Sequence, residues 1–350
     1  MICYFAAANT GRGFYSLFPS CFAPEAHRRI YVLKGGPGTG KSTLMRRLAV
    51  ACEAFGYEVE GYLCSSDTSS LDGIRIPALD VAVVDGTAPH VFEPTYAGAV
   101  ERLVDLGRGF DCAALADART AIVRHTNEKR EAYRTAYRCL AAAEQMAAEQ
   151  DAALASAMLR EKTEAAVRRL IASMRRASTG PVTRRYVSAL GTHGAVRLDT
   201  LHRRAERVCA VTDKGGLGYL FMSRLYAALL AAGVTMTVAE TPLTHTRIEE
   251  IYVEGERLLF TVTDAAHAEK ADKIVNTARF FSREGLAACR ARARFAAKGV
   301  SAMTDGALTA LSRAGEEHAH LEEIYTAHMD FSEADRVKNA ILSEIFANNM

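Results

Sequence analysis

The 350-residue chain has no tryptophan, only 8 prolines and almost no net charge, with 43 lysines and arginines against 41 aspartates and glutamates. The near balance excludes the strong positive field that carries nucleic acid or an anionic membrane as a partner. No basic run is interleaved with aromatics either. Long apolar runs are missing too. The longest, "LYAALLAAGVTMTVA" at 225–239, is too short for a bilayer and is split by Gly233, so it reads as helix, stop and strand. The start, "MICYFAAANTGRGF", lacks a basic segment and a sustained apolar core, so no secretory signal is expected. Eight cysteines are scattered without CxxC or other zinc-type spacing. The expectation is reduced, buried thiols in a cytoplasmic protein. The rest of the composition, 49% hydrophobic and 24% charged, is that of a globular chain with room for two domains.

One stretch stands out. Residues 29–33, "RIYVL", form a β-branched and aromatic run suited to a buried strand. Then comes Gly35-Gly36-Pro37-Gly38-Thr39-Gly40-Lys41-Ser42-Thr43, which satisfies G-x-x-x-x-G-K-[ST] in full. The segment after it has helical spacing, with Leu44, Leu48, Cys52 and Phe55 on one side and Gly56 as the stop. Strand, glycine-rich turn and helix together are the context in which backbone N–H groups cradle a phosphate. In that reading Lys41 reaches the β- and γ-phosphates, Ser42 places its hydroxyl on Mg²⁺ and Thr43 meets the α-phosphate.

A second strand, "YEVEGYLC", spans 57–64, and a third, "LDVAVVDG" at 79–86, ends in Asp85, whose carboxylate would hold Mg²⁺ through water. These Walker-type motifs resemble those of P-loop NTPases over roughly the first hundred residues. "VAVVDGTAPH" also resembles the D-G-F-P-R strand end of nucleoside monophosphate kinases, but Thr87, Ala88 and His90 depart from it and the substrate-reading arginine is missing. No glutamate follows Asp85, as it would in AAA-type or ABC-type motors. With the loop before it, "CSSDTSSLDGIRIPALDVAVVDGTAPHVFEP" resembles a family of bacterial ATPases built from two P-loop-like halves, a likeness that brings no substrate with it.

A second, broken copy of the loop follows at 213–221, "DKGGLGYLF". Aligning Gly35 with Gly215 and Gly56 with Gly233 leaves the second copy three residues shorter inside the loop. The same alignment sets Leu71 on Ile248, Ile74 on Ile251, Ile76 on Val253 and Asp85 on Val262. The expectation is an internal duplication whose second copy has lost Gly40-Lys41-Ser42, with the apolar Tyr219, Leu220, Phe221 and Met222 filling the hollow.

Between Phe110 and Thr179 there is neither Gly nor Pro, and strong helix formers dominate. Long helices folded as an antiparallel hairpin are expected there, ending at Gly180-Pro181. The fold expected is therefore α/β: two tandem P-loop NTPase-like, parallel-sheet domains with long α-helical segments. Their bounds are a nucleotide-binding core at 1–110, a helical hairpin at 111–180, a degenerate core at 181–284 and a C-terminal helical segment at 285–350.

The function expected is that of an ATPase: Mg²⁺ and ATP are held in the first half only, and the γ-phosphate is hydrolysed or transferred. Lys41, Asp67 and Asp85 are the catalytic candidates, with Asp67 in "CSSDTSS" orienting a nucleophile. Asp72 is a weaker alternative. His90 could sense the γ-phosphate, and one of Arg175, Arg176, Arg184 and Arg185 could act as an arginine finger. His318 and Glu322, four apart on one helix face, have metal-ligand spacing but also that of an ordinary charged face. The competing readings are a kinase for a nucleotide or small metabolite, and a non-enzymatic switch whose helical arms take hold of a partner protein when ATP binds.

Overall fold

A computed structural model describes residues 1–89, 91–172, 174 and 180–347. In the first half β1 (Ile2–Phe5) leads into a hairpin, β2 (Ala7–Thr10) and β3 (Gly13–Ser16), and a short helix α1 (Phe18–Cys21). Strand β4 (Arg29–Lys34), helix α2 (Lys41–Ala54), β5 (Glu60–Leu63), β6 (Leu71–Ile76), β7 (Val81–Asp85) and β8 (Glu101–Asp105) follow. Helices α3 (Cys112–Asp117), α4 (Arg119–Ala155) and α5 (Arg160–Ile171) lead to the second half. That half opens with β9 (Val182–Arg185), the hairpin β10 (Ser188–Gly191) and β11 (Gly194–Arg197), and α6 (Thr200–Arg204). It continues with β12 (Arg207–Thr212), α7 (Leu217–Ala231), β13 (Met236–Thr241), β14 (Thr244–Val253), β15 (Leu258–Thr263) and β16 (Lys273–Val275). Helices α8 (Arg283–Ala327) and α9 (Ser332–Ala347) close the described chain.

The two halves repeat one topology. The first sheet has the order β1-β5-β6-β7-β4-β8 and the second, read from its other edge, β9-β13-β14-β15-β12-β16. Registers match: Ile74 lies between Gly61 and Val83, and Ile251 between Val238 and Phe260. Even the left-handed turn residues correspond, Asp80 at φ 51° and Arg257 at φ 45°. Neither sheet is purely parallel. β6 and β14 run against both their neighbours, because each follows the preceding strand through a short loop rather than a helical crossover.

Side chains alternate across each sheet. In β4, Tyr31 and Leu33 face α2, while Ile30 and Val32 face a cluster shared with the second half through Ala239, Tyr252 and Leu259. An antiparallel bridge between Phe5 and Tyr186 ties the ends of β1 and β9 together.

The helical segments exchange partners. Helix α4, 37 residues, runs antiparallel along α8, 45 residues, so the pair spans about 55–68 Å. Small residues line the seam: Ala132, Ala136, Ala143 and Ala147 of α4, and Ala296, Ala307, Ala310 and Ala314 of α8 are buried. Among the described residues the expected hairpin inside 111–180 is therefore not formed, since α4 finds its apolar partner in α8. Beyond the pair, α5 packs on α7 of the second half. Helix α9 packs on α2 of the first, burying Ile341 and Ile345 against its core. The exchange is reciprocal down to the backbone: Asp111 donates to His328 O at 2.9 Å, and its counterpart Ser282 donates to Ala157 O at 2.8 Å.

All eight cysteines are free. No helix among the described residues is long and apolar enough to cross a membrane.

Candidate functional site

The loop after β4 is shaped by glycine. Gly38 and Gly40 sit at φ 68° and 82°, the left-handed region where a Cβ is costly. Gly40 is the N-cap of α2, and no side chain caps that helix. Among the described residues, no protein acceptor is seen for the N–H groups of Gly36, Gly38, Thr39, Gly40, Lys41 or Ser42. An uncapped helix start with a run of main-chain N–H donors that have no protein acceptor favours an anion.

Lys41 bends over this run. Its Nζ donates to Gly36 O at 2.8 Å and Gly35 O at 3.1 Å and lies 3.7 Å from Asp85 Oδ2. Asp85 is delivered by the parallel pairing of β4 with β7, which sets it opposite Leu33. Burial pushes its carboxyl above the ordinary carboxylate range, opposed by Lys41 and by the Thr87 hydroxyl and N–H. Ser42 Oγ accepts from Leu71 N at 3.0 Å, and Thr39 Oγ1 donates to Gly36 O at 2.9 Å. The loop, Lys41, Ser42 and Asp85 are thus gathered at one end of β4, as their spacing suggests.

Asp67 is also near, but it is tied up. Its oxygens accept from Ser69 N at 3.0 Å, Ser69 Oγ at 2.7 Å and Ser70 Oγ at 2.7 Å. Burial opposes its ionisation, but the Ser69 and Ser70 donors and the nearby His193 outweigh it and hold the carboxyl below its ordinary value. The second half helps place it: Thr192, in the turn between β10 and β11, donates to Ser66 O at 2.8 Å, and His193 Nε2 lies 4.0 Å from Asp67 Oδ1. Helix α4 adds Tyr133, whose hydroxyl donates to Ser66 Oγ at 3.0 Å. Asp72 is buried, at 4% exposure, and hydrogen-bonds with Cys64.

The last turns of α8 lie across the loop. A Cβ on Gly38 would come within 3.1 Å of Glu322 O and 2.5 Å of Thr326 Oγ1, and one on Gly36 would meet Phe110 and Tyr325 at 3.2 and 3.3 Å. The same helix brings His318 and Glu322 to the loop, with His318 Nε2 3.6 Å from Glu322 Oε1 and His318 Nδ1 3.3 Å from Lys129 Nζ of α4. Burial and Lys129 push the His318 ring down to about 4. Lys129, His193 and Tyr325 carry no sequence signal of their own, because nothing in the chain says that α8 crosses to the first half or that the β10–β11 turn meets the loop after β5. The arginine candidates fall elsewhere. Arg184 pairs with Glu240, and Arg185 is buried over the rings of Tyr4 and Tyr62, 5.7 Å from each. His90, Arg175 and Arg176 lie outside the described residues.

The second half has a different solution at the matching place. Gly216, at φ 103°, is the N-cap of α7 as Gly40 is of α2, so Leu217 and Gly218 stand where Lys41 and Ser42 stand. The loop is shortened before the cap, 213–215 against 35–39. The hollow is not filled by apolar side chains, as the sequence pattern suggested. Asp213 fills it: its carboxylate accepts from Gly216 N at 3.0 Å and Gly218 N at 2.7 Å. Leu154 and Gln150 of α4 then close over Gly216, with Gln150 Nε2 donating to Gly215 O at 3.0 Å. Tyr219, Phe221 and Met222 pack into the second core, Phe221 stacked on Phe280 at 5.1 Å.

A cavity of about 210 Å³ lies not at the first loop but beside β9, among Arg12, Tyr15, Arg184, Tyr186 and Glu240. The first loop itself is covered by α8. No family model, no curated protein and no solved structure matches this chain.

Proposed function

We propose that the first half binds a nucleoside triphosphate, ATP, with Mg²⁺ at residues 35–43, and that it hydrolyses the γ-phosphate or transfers it. The contrast between the two loops carries this reading. Both are runs of N–H donors at a helix start, and in the second half a carboxylate accepts from them. In the first half no carboxylate among the described residues accepts from these N–H groups, and Lys41 and Asp85 stand beside them.

The chain's own residues account for the chemistry such a site needs. Lys41 would exchange its two neutral carbonyl partners for anionic phosphate oxygens, because a hydrogen bond between opposite charges is the stronger one. Ser42 and Asp85 supply the hard oxygen donors that suit Mg²⁺. Gly35, Gly36, Gly38 and Gly40 leave the main chain bare enough to approach the phosphates, with Pro37, Thr39 and Thr43 completing the wall.

One observation favours the switch as a second reading: the end of α8 rests directly on the loop, so a ligand that fills the loop presses on a helix reaching into the other half. Binding measurements with Mg-ATP decide the first reading. Wild-type protein should bind and Lys41→Ala should not, whereas equal binding by both would contradict it.

A further inference from the structure

We infer that Glu322, carried in on α8 from the far end of the chain, is the catalytic base of the first half. The inference rests on the nucleotide reading above and names the group that this reading lacks, since no glutamate follows Asp85.

The other carboxylates near the loop are engaged. Asp85 faces Lys41 and accepts from Thr87, Asp67 is saturated by Ser69 and Ser70, and Asp72 is buried against Cys64. Glu322 differs in each respect. Its side chain is 50% exposed, and among the described residues its carboxylate accepts no hydrogen bond; the nearest cation or ring nitrogen is His318 Nε2 at 3.6 Å. The groups facing it are Lys41 from α2, Asp67 from the loop after β5, Lys129 from α4 and His318 on its own helix. Burial, with Asp67, raises its carboxyl above the ordinary value against the pull of Lys41 and Lys129, which makes it a better proton acceptor than Asp67.

His318 and Lys129 are its neighbours on the side of the α4–α8 seam. The Lys129 ammonium can only donate, so His318 Nδ1 accepts, and the ring proton of the neutral imidazole sits on Nε2, the nitrogen that faces Glu322. Lys129, His318 and Glu322 thus lie in a row across the α4–α8 seam, 3.3 Å and 3.6 Å apart.

Glu322 takes a proton from water as the water oxygen bonds to the γ-phosphorus. The bond from that phosphorus to the bridging oxygen breaks, its electron pair leaves with ADP, and the proton passes from Glu322 to solvent.

Single-turnover release of inorganic phosphate from Mg-ATP, measured beside calorimetric binding on the full chain, tests this. Glu322→Gln should bind ATP within about twofold of wild type and release phosphate about 100-fold more slowly, without the acidic limb of the wild-type pH profile. Glu322→Asp, which keeps a carboxylate, should retain that limb. Wild-type turnover by a Glu322→Gln variant that binds ATP overturns the base assignment alone, as does wild-type protein that binds ATP and releases no phosphate. Wild-type protein that binds no nucleotide overturns the nucleotide reading and this assignment with it.

Discussion

The carboxylate of Asp213 sits 2.7 Å from the main-chain nitrogen of Gly218 and 3.0 Å from that of Gly216, an anion held by the start of α7. Its place in the fold matches the glycine-rich loop of the first half, where Gly40 caps α2 and no side chain performs the same service. The second loop is therefore closed by its own sequence rather than merely shortened.

Asp213→Ala should remove a charged cap and cost about 1–2 kcal/mol of stability, read by urea unfolding. It should not create Mg-ATP binding, because Leu217 and Gly218 offer neither an ammonium nor a hydroxyl. Nucleotide binding gained by this variant, with Lys41 also removed, would contradict the account of the second half.

Phe221→Ala should cost roughly 3–5 kcal/mol, since the ring is fully buried and stacked on Phe280. Nucleotide affinity of the folded variant should stay at the wild-type value. A selective loss of affinity without loss of stability would place Phe221 in a binding role that its surroundings do not support.

Reciprocal exchange of α5 and α9 makes a regional prediction. Ile345→Ala, at a side chain 1% exposed in the first core, should cost roughly 2–4 kcal/mol. Hydrogen exchange should then speed up in α2 and leave α7 protected. Faster exchange in α7 instead would mean that α9 does not belong to the first half.

Glu249 gives a pH dependence with a definite sign. Burial raises its carboxyl to about 7 from an ordinary 4.5, with Glu250 adding to the shift and Arg197 and the Ser188 hydroxyl opposing it. A raised acid favours the folded state fully below the unfolded value, near 4.5, and that contribution is lost as pH rises through about 7. Glu249→Gln, which stays neutral, should gain stability relative to wild type between pH 6 and 9, by on the order of 1–2 kcal/mol. A stability difference independent of pH over that range would contradict the raised carboxyl.

Much of this was legible in the chain. The loop from Gly35 to Thr43, the strand ending in Asp85 and the register of Ile74 with Ile251 follow from local spacing, and local spacing survives folding. What escaped depends on contacts between distant segments. The run from 111 to 180 announces helices but not their partner, because an alanine stripe fits any other small-residue stripe. The placing of His318 and Glu322 over the loop depends on the antiparallel pairing of α4 with α8, which no single segment encodes. Identity alone aligned Gly35 with Gly215 and so set the gap at Lys41. The backbone aligns Gly40 with Gly216 and sets the gap before the cap, which leaves Asp213 free to reach back to the start of α7.

The number of Mg-ATP molecules bound per chain, measured by titration calorimetry on wild type and on Lys41→Ala, tests the central claim most directly. One site in the wild type, lost in Lys41→Ala and unchanged in Asp213→Ala, is the predicted result. Two sites, or a site that survives the loss of Lys41, would contradict it.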